Sequence, residues 1–446
     1  MRSPSSQFSF HIETLGCPKN KVDSRRMRSA LLQNGFRLSN EPQQADFLLI
    51  NSCSFIREAQ EETIATVFES LKLRDSKNKK MKVGLIGCFA ERFSENVKTE
   101  IPELDFMVGT GKYHELPMIL SQAYGIELNA HAALQAGDMS DSQNKLPYAW
   151  FRIAQGCSRH CAFCILPKIR GSLSPYDASS LERQWSEESR SPGSTPLREV
   201  ILVSQDTISQ GIDELRNIIE FFSKKDEVQW IRLQYLFPDR RVLKLLDLFQ
   251  EFPKLVPYLD IPFQHVSQRM LEKMKRPSDT GLFKEILAKA VEVNPSTEIR
   301  TSLILGFPGE EQEDVETIRT FLTENTIHKL ALFRYSHETG TYAGDHFTDD
   351  LSDDQKIERI NDIRNLHLQL RQQHRSDLTG TIQELLVDEV APGEIIARRP
   401  QDAPEIDEIV FLPFKKGIKP GDFVQASLDT PMEYDWMGSF ADQITT

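Results

Sequence analysis

The residues of this 446-residue chain with the most chemistry in them are its six cysteines, Cys17, Cys53, Cys88, Cys157, Cys161 and Cys164. The last three form a Cys-x3-Cys-x2-Cys run. Three thiolates so close together in one loop can ligate three corners of a [4Fe–4S] cluster. Four irons and three protein thiols leave one iron open. An open iron can bind the amino and carboxylate groups of S-adenosylmethionine (SAM) and pass it an electron. Zinc is the rival metal, but structural zinc sites favour paired Cys-x2-Cys elements and four ligands. This loop has one such pair, with His160 as a possible fourth ligand. For Cys17, Cys53 and Cys88 the plainest reading is three buried thiols. In a long chain with no secretory signal, however, cysteines more often serve as metal ligands or catalytic groups than as disulfides.

The elements that must position these thiols follow from the apolar pattern. Phe8–Leu15, Asp46–Asn51 and Lys82–Gly87 read as strands separated by helices around Val22–Gln33 and Arg57–Leu73. That βαβ alternation implies a parallel sheet. Ligands of such sheets bind beyond the carboxyl ends of the strands, and Cys17, Cys53 and Cys88 each follow one of those ends. Parallel strands can therefore bring three distant thiols together. A polar stretch, Ala136–Leu146, reads as a linker.

Six more strands are expected at Trp150–Ala154, Glu199–Val203, Trp230–Gln234, Tyr258–Pro262, Ile299–Leu305 and Leu330–Arg334, with helices between them. This is a partial (β/α)6 barrel, whose chemistry belongs in the loops after the strands. The polar motifs lie in those loops: Gly156-Cys157, Ser204-Gln205-Asp206, Tyr235 to Asp239, Gln264-His265, Gly306 to Glu310 and Tyr335-Ser336. Ser352–Ser376 reads as a helix with Ile357, Ile360 and Ile363 on one stripe. Ile382–Val390, Glu394–Ala397, Ile409–Leu412 and Asp422–Leu428 are short strands between Pro and Gly turns, which suggests a small antiparallel β-barrel. The expected fold class is α/β, in three parts: 1–138, 148–376 and 377–446. Ser186–Thr195 reads as a polar surface insertion.

Composition narrows the function classes. No apolar run approaches a membrane span and the first ten residues lack a signal core, so the expected compartment is the cytosol. The net charge is −13, which argues against a basic nucleic-acid stripe and for a basic partner. Residues 377–446 hold 14 Asp and Glu against 5 Lys and Arg. On that count the small barrel is expected to dock a basic protein.

The Cys-x3-Cys-x2-Cys loop, with Phe163 before the third cysteine, resembles that of the radical SAM superfamily. The resemblance implies that the backbone of Phe163 contacts adenine; its other reading is a core aromatic. Over nearly the whole chain the sequence is similar to the methylthiotransferase family, which joins a three-cysteine domain, a radical SAM domain and a TRAM β-barrel. The likeness rests on Thr14-Leu15-Gly16-Cys17-Pro18-Lys19-Asn20, Asn51-Ser52-Cys53-Ser54-Phe55-Ile56 and Gly87-Cys88. It implies two [4Fe–4S] clusters, the second held by Cys17, Cys53 and Cys88, and SAM as a further cofactor.

Val22-Asp23-Ser24, Gln205-Asp206-Thr207, Gln264-His265, Tyr335 to Thr341, Pro404 to Asp407 and Tyr434 to Gly438 resemble the branch that methylthiolates an aspartate β-carbon in small-subunit ribosomal protein twelve. The implied partners are that protein and an electron donor such as flavodoxin or ferredoxin, with no membrane and no nucleic acid as direct substrate. The implied chemistry is reductive cleavage of SAM, hydrogen abstraction by the resulting radical, sulfur insertion and methylation. Ser172-Leu173-Ser174-Pro175 replaces the arginine usual in the branch after Arg170-Gly171.

Other residues carry two readings each. Ser204 and Gln205 suit the amino end of SAM, or with Asp206 a helix cap. Gly306 suits close approach to SAM, or a plain turn. Arg300 suits the SAM carboxylate, or an ion pair inside the barrel. His265 suits a substrate contact or a structural role. A tRNA adenosine methylthiotransferase is the alternative function, and a non-catalytic iron–sulfur carrier is the rival class.

Overall fold

The computed structural model describes residues 3–129, 146–188, 195–277 and 279–441. The expected linker therefore lies outside the described residues except at Leu146, as does most of the 186–195 insertion. The chain forms two compact units. The first comprises residues 1–140, 155–159 and 164–174, and the second comprises 141–154, 160–163 and 175–446.

In the first unit, strands β1 (Ser9–Thr14), β2 (Arg37–Leu38), β3 (Phe47–Ser52), β4 (Lys82–Gly87) and β5 (Phe106–Val108) form one sheet. All its pairings are parallel, in the order β2-β1-β3-β4-β5. The short edge strands β2 and β5 are additions to the sequence reading. Strand β3 is buried along its whole length, as its unbroken apolar run requires of a strand covered on both faces. Helices α1 (Pro18–Gln33) and α2 (Arg57–Lys77) complete the crossovers. Pro18 opens α1 where its missing N–H costs nothing. Between β1 and β3 the strand order reverses, and such a switch point is where a doubly wound sheet leaves a crevice.

The second unit begins with six strands: β6 (Tyr148–Arg152), β7 (Glu199–Val203), β8 (Trp230–Gln234), β9 (Tyr258–Asp260), β10 (Glu298–Leu305) and β11 (Lys329–Arg334). Their ladders form two parallel trios, β6-β7-β8 and β9-β10-β11. The trios are joined by backbone bonds from Val256 N–H to Ile231 O and from Leu236 N–H to Asp260 O. The six strands thus follow one another as an open barrel. Phe151, Val200, Leu202, Leu233, Leu259 and Leu303 face the surrounding helices in one apolar core. The alternate residues Trp150, Arg152, Arg232 and Gln234 do not belong to that core, as the alternation of side chains along a strand requires. Helix α4 (Asp353–Leu378) follows, opened by a capping box from Ser352 and Gln355. Ile360 and Ile363 bury, while Ile357 is exposed and does not belong to the packed stripe.

The chain ends in a closed five-stranded barrel of β12 (Ile382–Ala391), β13 (Glu394–Arg398), β14 (Val410–Pro413), β15 (Phe423–Pro431) and β16 (Trp436–Phe440). Its closing strand β16 was not among the expected strands. This barrel forms the floor of the six-stranded one. Every first residue of β6 to β11 is tied to it or lies against its residues. Tyr148 donates to Glu405, Arg398 to Glu199, Tyr258 to Asp407 and Arg399 to Glu298, while Lys329 pairs with Asp402 and Trp230 packs on Phe423.

The acidic count of residues 377–446 overstates the charge that this barrel shows at its surface. Asp388, Asp402, Asp407 and Glu408 are buried or nearly so, and neutralised by Arg398, Arg399, Arg300 and Arg371. The field left on the surface comes from fewer acids, such as Glu384, Glu389, Glu394 and Asp429.

Candidate active site

In the first unit, Cys17, Cys53 and Cys88 come at the carboxyl ends of β1, β3 and β4, three neighbouring strands. The turn at Gly16 has φ +82, and a Cβ there would lie 2.9 Å from the Cys53 sulfur. Glycine is what lets the first thiol's loop lie against the second. Asn20 stitches the loops, its amide donating to Leu15 O at 2.8 Å and Ser52 O at 3.1 Å. The thiols also share one electrostatic environment. Burial and the charges of Cys17 and Cys88 push the Cys53 thiol up to about 12. Burial likewise raises Cys88, against the pull of Arg170. Burial would raise Cys17 too, but Lys19, Arg170 and two backbone N–H groups outweigh it and hold that thiol low.

Among the described residues no three His, Cys, Asp or Glu side chains gather closely enough to close on a single ion. A four-iron cluster binds each thiolate through a different iron, so it spaces its ligands more widely than one ion does. Two buried thiols and a partly buried one on adjacent strand ends, with no histidine among them, suit such a cluster. Arg170, which ends the short helix α3 (Leu166–Arg170), reaches the same place. Its guanidinium donates to Asp23 at 3.0 Å, to Asn20 at 2.8 Å and to the Cys88 sulfur at 3.1 Å.

The Cys157–Cys164 loop is divided between the two units. In the first, Cys157 is buried, its N–H donates to Gly171 O, and its sulfur accepts from the Arg159 N–H. In the second, Cys161 packs on the barrel core and accepts from Arg276 at 3.6 Å. The Arg276 guanidinium is fixed by Pro262 O at 2.6 Å and lies 4.3 Å from the centre of the Phe237 ring. Phe163 joins Ala162, Met270, Met274, Ile304, Phe307 and Tyr335 in an apolar cluster. In side-chain terms it is a core aromatic.

Around the carboxyl ends of the barrel strands lie several buried polar groups. The side-chain amides of Gln205 and Gln234 are buried, with neither end hydrogen-bonded among the described residues. Buried amides left open cost stability unless a ligand completes them. Ser204 is buried and shares a hydrogen bond with Thr207. Tyr235 and Gln264 follow their strands with φ +62 and +71, strained positions of a kind that clusters at functional sites. Gly306, at φ +76, leaves no room for a Cβ beside Lys356, and its N–H donates to Glu310. His265 accepts two backbone N–H bonds on Nδ1 and turns Nε2 toward Glu310 at 3.4 Å. Those bonds fit a structural histidine.

Arg300 departs from its expected place at SAM. It is the third residue of β10, well short of the mouth, and its guanidinium pairs with Asp407 at 3.3 Å and approaches Asp260 at 4.0 Å. The ion-pair reading is the one the structure supports.

Comparison with known proteins fits this geometry. Residues 9–109 match the uncharacterized protein family UPF0004, 151–322 the radical SAM superfamily and 379–440 the TRAM domain. A ribosomal protein uS12 methylthiotransferase RimO of Leptospira biflexa serovar Patoc is 38% identical, with 97% of each chain covered. The chain belongs to the ribosomal protein uS12 methylthiotransferase family. Another member, from Thermoanaerobacter sp. (strain X514), is 32% identical over 96% of this chain and 99% of its own. In fold alone, the chain is similar to an apo, selenomethionine-labelled cobalamin-dependent S-adenosylmethionine radical enzyme, OxsB. That likeness has a TM-score of 0.50 at 11% identity and covers 80% of this chain and 56% of that one.

As a member of this radical SAM methylthiotransferase family, the chain is an enzyme that uses SAM and a [4Fe–4S] cluster. Sequence reasoning had not singled out Gln234, Arg276 or the reach of Arg170. For Gln234 a signal existed: it is a polar last residue on a barrel strand. For the two arginines there was none, because their partners are far away in sequence.

Proposed function

We propose that this enzyme adds a methylthio group to the β-carbon of an aspartate in ribosomal protein uS12. The observation that carries the reading is the gathering of Cys17, Cys53 and Cys88 at three adjacent strand ends, in a chain that also holds the Cys157-x3-Cys161-x2-Cys164 loop. Its full-length relatives bear the name of that reaction. In this reading the chain has three parts, 1–138, 148–376 and 377–446. Cys157, Cys161 and Cys164 would hold the SAM-binding cluster, and Cys17, Cys53 and Cys88 a second one. Bound there, the two clusters would supply the electron for reductive SAM cleavage and the site from which sulfur is delivered.

The chain's own residues orient and enclose. Gln205 and Gln234 offer buried donors and acceptors toward the barrel interior, where SAM and the reacting aspartate have polar groups to satisfy. Ser204 stands beside Gln205 for the amino end of SAM. With SAM bound, the Gly306 turn would let backbone approach it, and the Phe163 backbone would contact its adenine. The floor formed by the C-terminal barrel keeps water from entering at the opposite end. An electron donor of the flavodoxin or ferredoxin type completes the system in the cytosol. Among the described residues no helix is long and apolar enough to cross a membrane.

Mass spectrometry of uS12 from cells with and without the enzyme tests the reading. A methylthio mass increment on one aspartate, lost on deletion and restored by the gene, is expected. Unmodified uS12 together with enzyme-dependent methylthiolation of tRNA would overturn it.

A further inference from the structure

The guanidinium of Arg170 is placed on Cys88 by an unusually complete set of constraints. Its side chain is 2% exposed and paired with Asp23, which is fully buried. A second fork of the same group bonds Asn20 Oδ1 at 2.8 Å and the Cys88 sulfur at 3.1 Å. Ile165 and Ile169, on the same turn of chain, pack against Cys88, and Thr110 donates to Ile169 O at 2.7 Å. Helix α3 thus leaves the SAM-type loop two residues after Cys164 and ends on a thiol of the other cysteine set. A buried ion pair is weak evidence for stability in its own right. Here the pair satisfies only part of the guanidinium, and another of its donors is directed at sulfur.

We infer that Arg170 is a positioning residue for a cluster on Cys17, Cys53 and Cys88. In this role it donates to the Cys88 thiolate and raises that cluster's reduction potential. The inference rests on the proposed second-cluster site. Its physics is simple: reduction adds negative charge to a cluster, and a fixed cation with a hydrogen bond to a ligand sulfur favours the more negative form. Arginine suits the task because it stays charged when buried and its planar fork can serve Asp23, Asn20 and sulfur together.

The test uses the full chain carrying C157A, C161A and C164A, so that only the second site can hold iron. After anaerobic reconstitution, iron content and the midpoint potential, followed by electron paramagnetic resonance, are compared with and without R170M/D23N. The double change removes both buried charges and so avoids stranding Asp23. Full iron with a more negative potential is expected, and R170K should recover part of the shift. Loss of iron in R170M/D23N that R170K prevents would also support the role. An unchanged potential at full iron would overturn it. So would an iron loss that, in the chain with all six cysteines, affects both sites equally, because Arg170 would then be only a structural strut. If the C157A/C161A/C164A chain binds no iron at all, the second-cluster reading fails, and this inference with it.

Discussion

Arg398, the last residue of β13, donates to Glu199, the first residue of β7, at 2.8 Å, and both side chains are essentially without solvent exposure. The same carboxylate accepts from Arg232 at 2.7 Å, and Asp388 holds the other side of Arg398. Two domains that look independent in sequence are therefore joined by a charge network closed to water. Removing one member strands the others. R398M is expected to destabilise the enzyme by about 3–5 kcal/mol, whereas R398M/E199Q should recover part of that loss. Urea unfolding of the two variants measures the difference; equal stability of R398M and wild type would contradict the picture.

The cysteine sets should separate in what their loss abolishes. Anaerobically prepared enzyme is expected to hold about eight irons, as two four-iron clusters require. Replacing Cys157, Cys161 or Cys164 by Ala should abolish formation of 5′-deoxyadenosine. Replacing Cys17, Cys53 or Cys88 should leave some of it and stop methylthiolation. Methylthiolated uS12 from C88A would rule out the second site, and one zinc with little iron would rule out both.

Gly16 allows a sharper test of the second site. Its φ of +82 would cost any L-residue about 1–2 kcal/mol, and an added Cβ would meet Cys53 Cβ at 2.7 Å. Gly125 has a similar φ of +66 but nothing within 4 Å of its Cβ position. Both G16A and G125A should therefore lose stability in thermal unfolding, G16A the more because of its added contact with Cys53. Only G16A should also lose iron from the Cys17, Cys53 and Cys88 site. Equal iron in the two variants would show that the Gly16 turn has no bearing on that site.

Much of this architecture could be read from the chain, and the parts that could not have physical reasons. The sequence reading of Glu199–Val203 and Trp230–Gln234 matches the strands to the residue, because Val200–Val203 is an unbroken apolar run and Trp230, Ile231 and Leu233 form a short apolar segment. Strands β2 and β5 were missed because two and three residues show no periodicity. Strand β16 was missed because its Gly438 and Ser439 dilute the apolar alternation. The acidity of residues 377–446 was legible as a sum, but a sum does not show that Asp402 and Asp407 face cations of the other barrel. Arg170 and Arg276 reach their sulfurs across 82 and 115 residues of chain. Only the folded strand order brings such pairs together.

The last prediction concerns acid. His328 accepts the Ile299 N–H on Nδ1 at 3.0 Å and stacks edge-on against His374, which bonds Glu298. Burial holds the His328 imidazole down to about 3, against the pull of Glu298. In the unfolded chain the same ring takes up its proton near pH 6.5. Between these values the unfolded state binds one more proton than the folded one. Stability supplied by neutral His328 is therefore complete above about pH 6.5 and drains away as pH falls toward 3. Glu298 acts in the same sense. Lys329 and Arg399 overcome its burial and hold its carboxyl well below the usual range, so its contribution is present above the unfolded carboxylate range and is lost in stronger acid. The histidine alone should account for on the order of 2–4 kcal/mol across that interval. Thermal unfolding from pH 8 to pH 4 should show the wild type weakening first below about pH 6.5. H328N keeps an acceptor for Ile299 without a titrating ring, and should shrink that first phase, leaving the part owed to His367, which burial also holds low, and the carboxylate phase below it. If wild type and H328N weaken in parallel from pH 7 to pH 5, the proton taken up on unfolding does not come from His328.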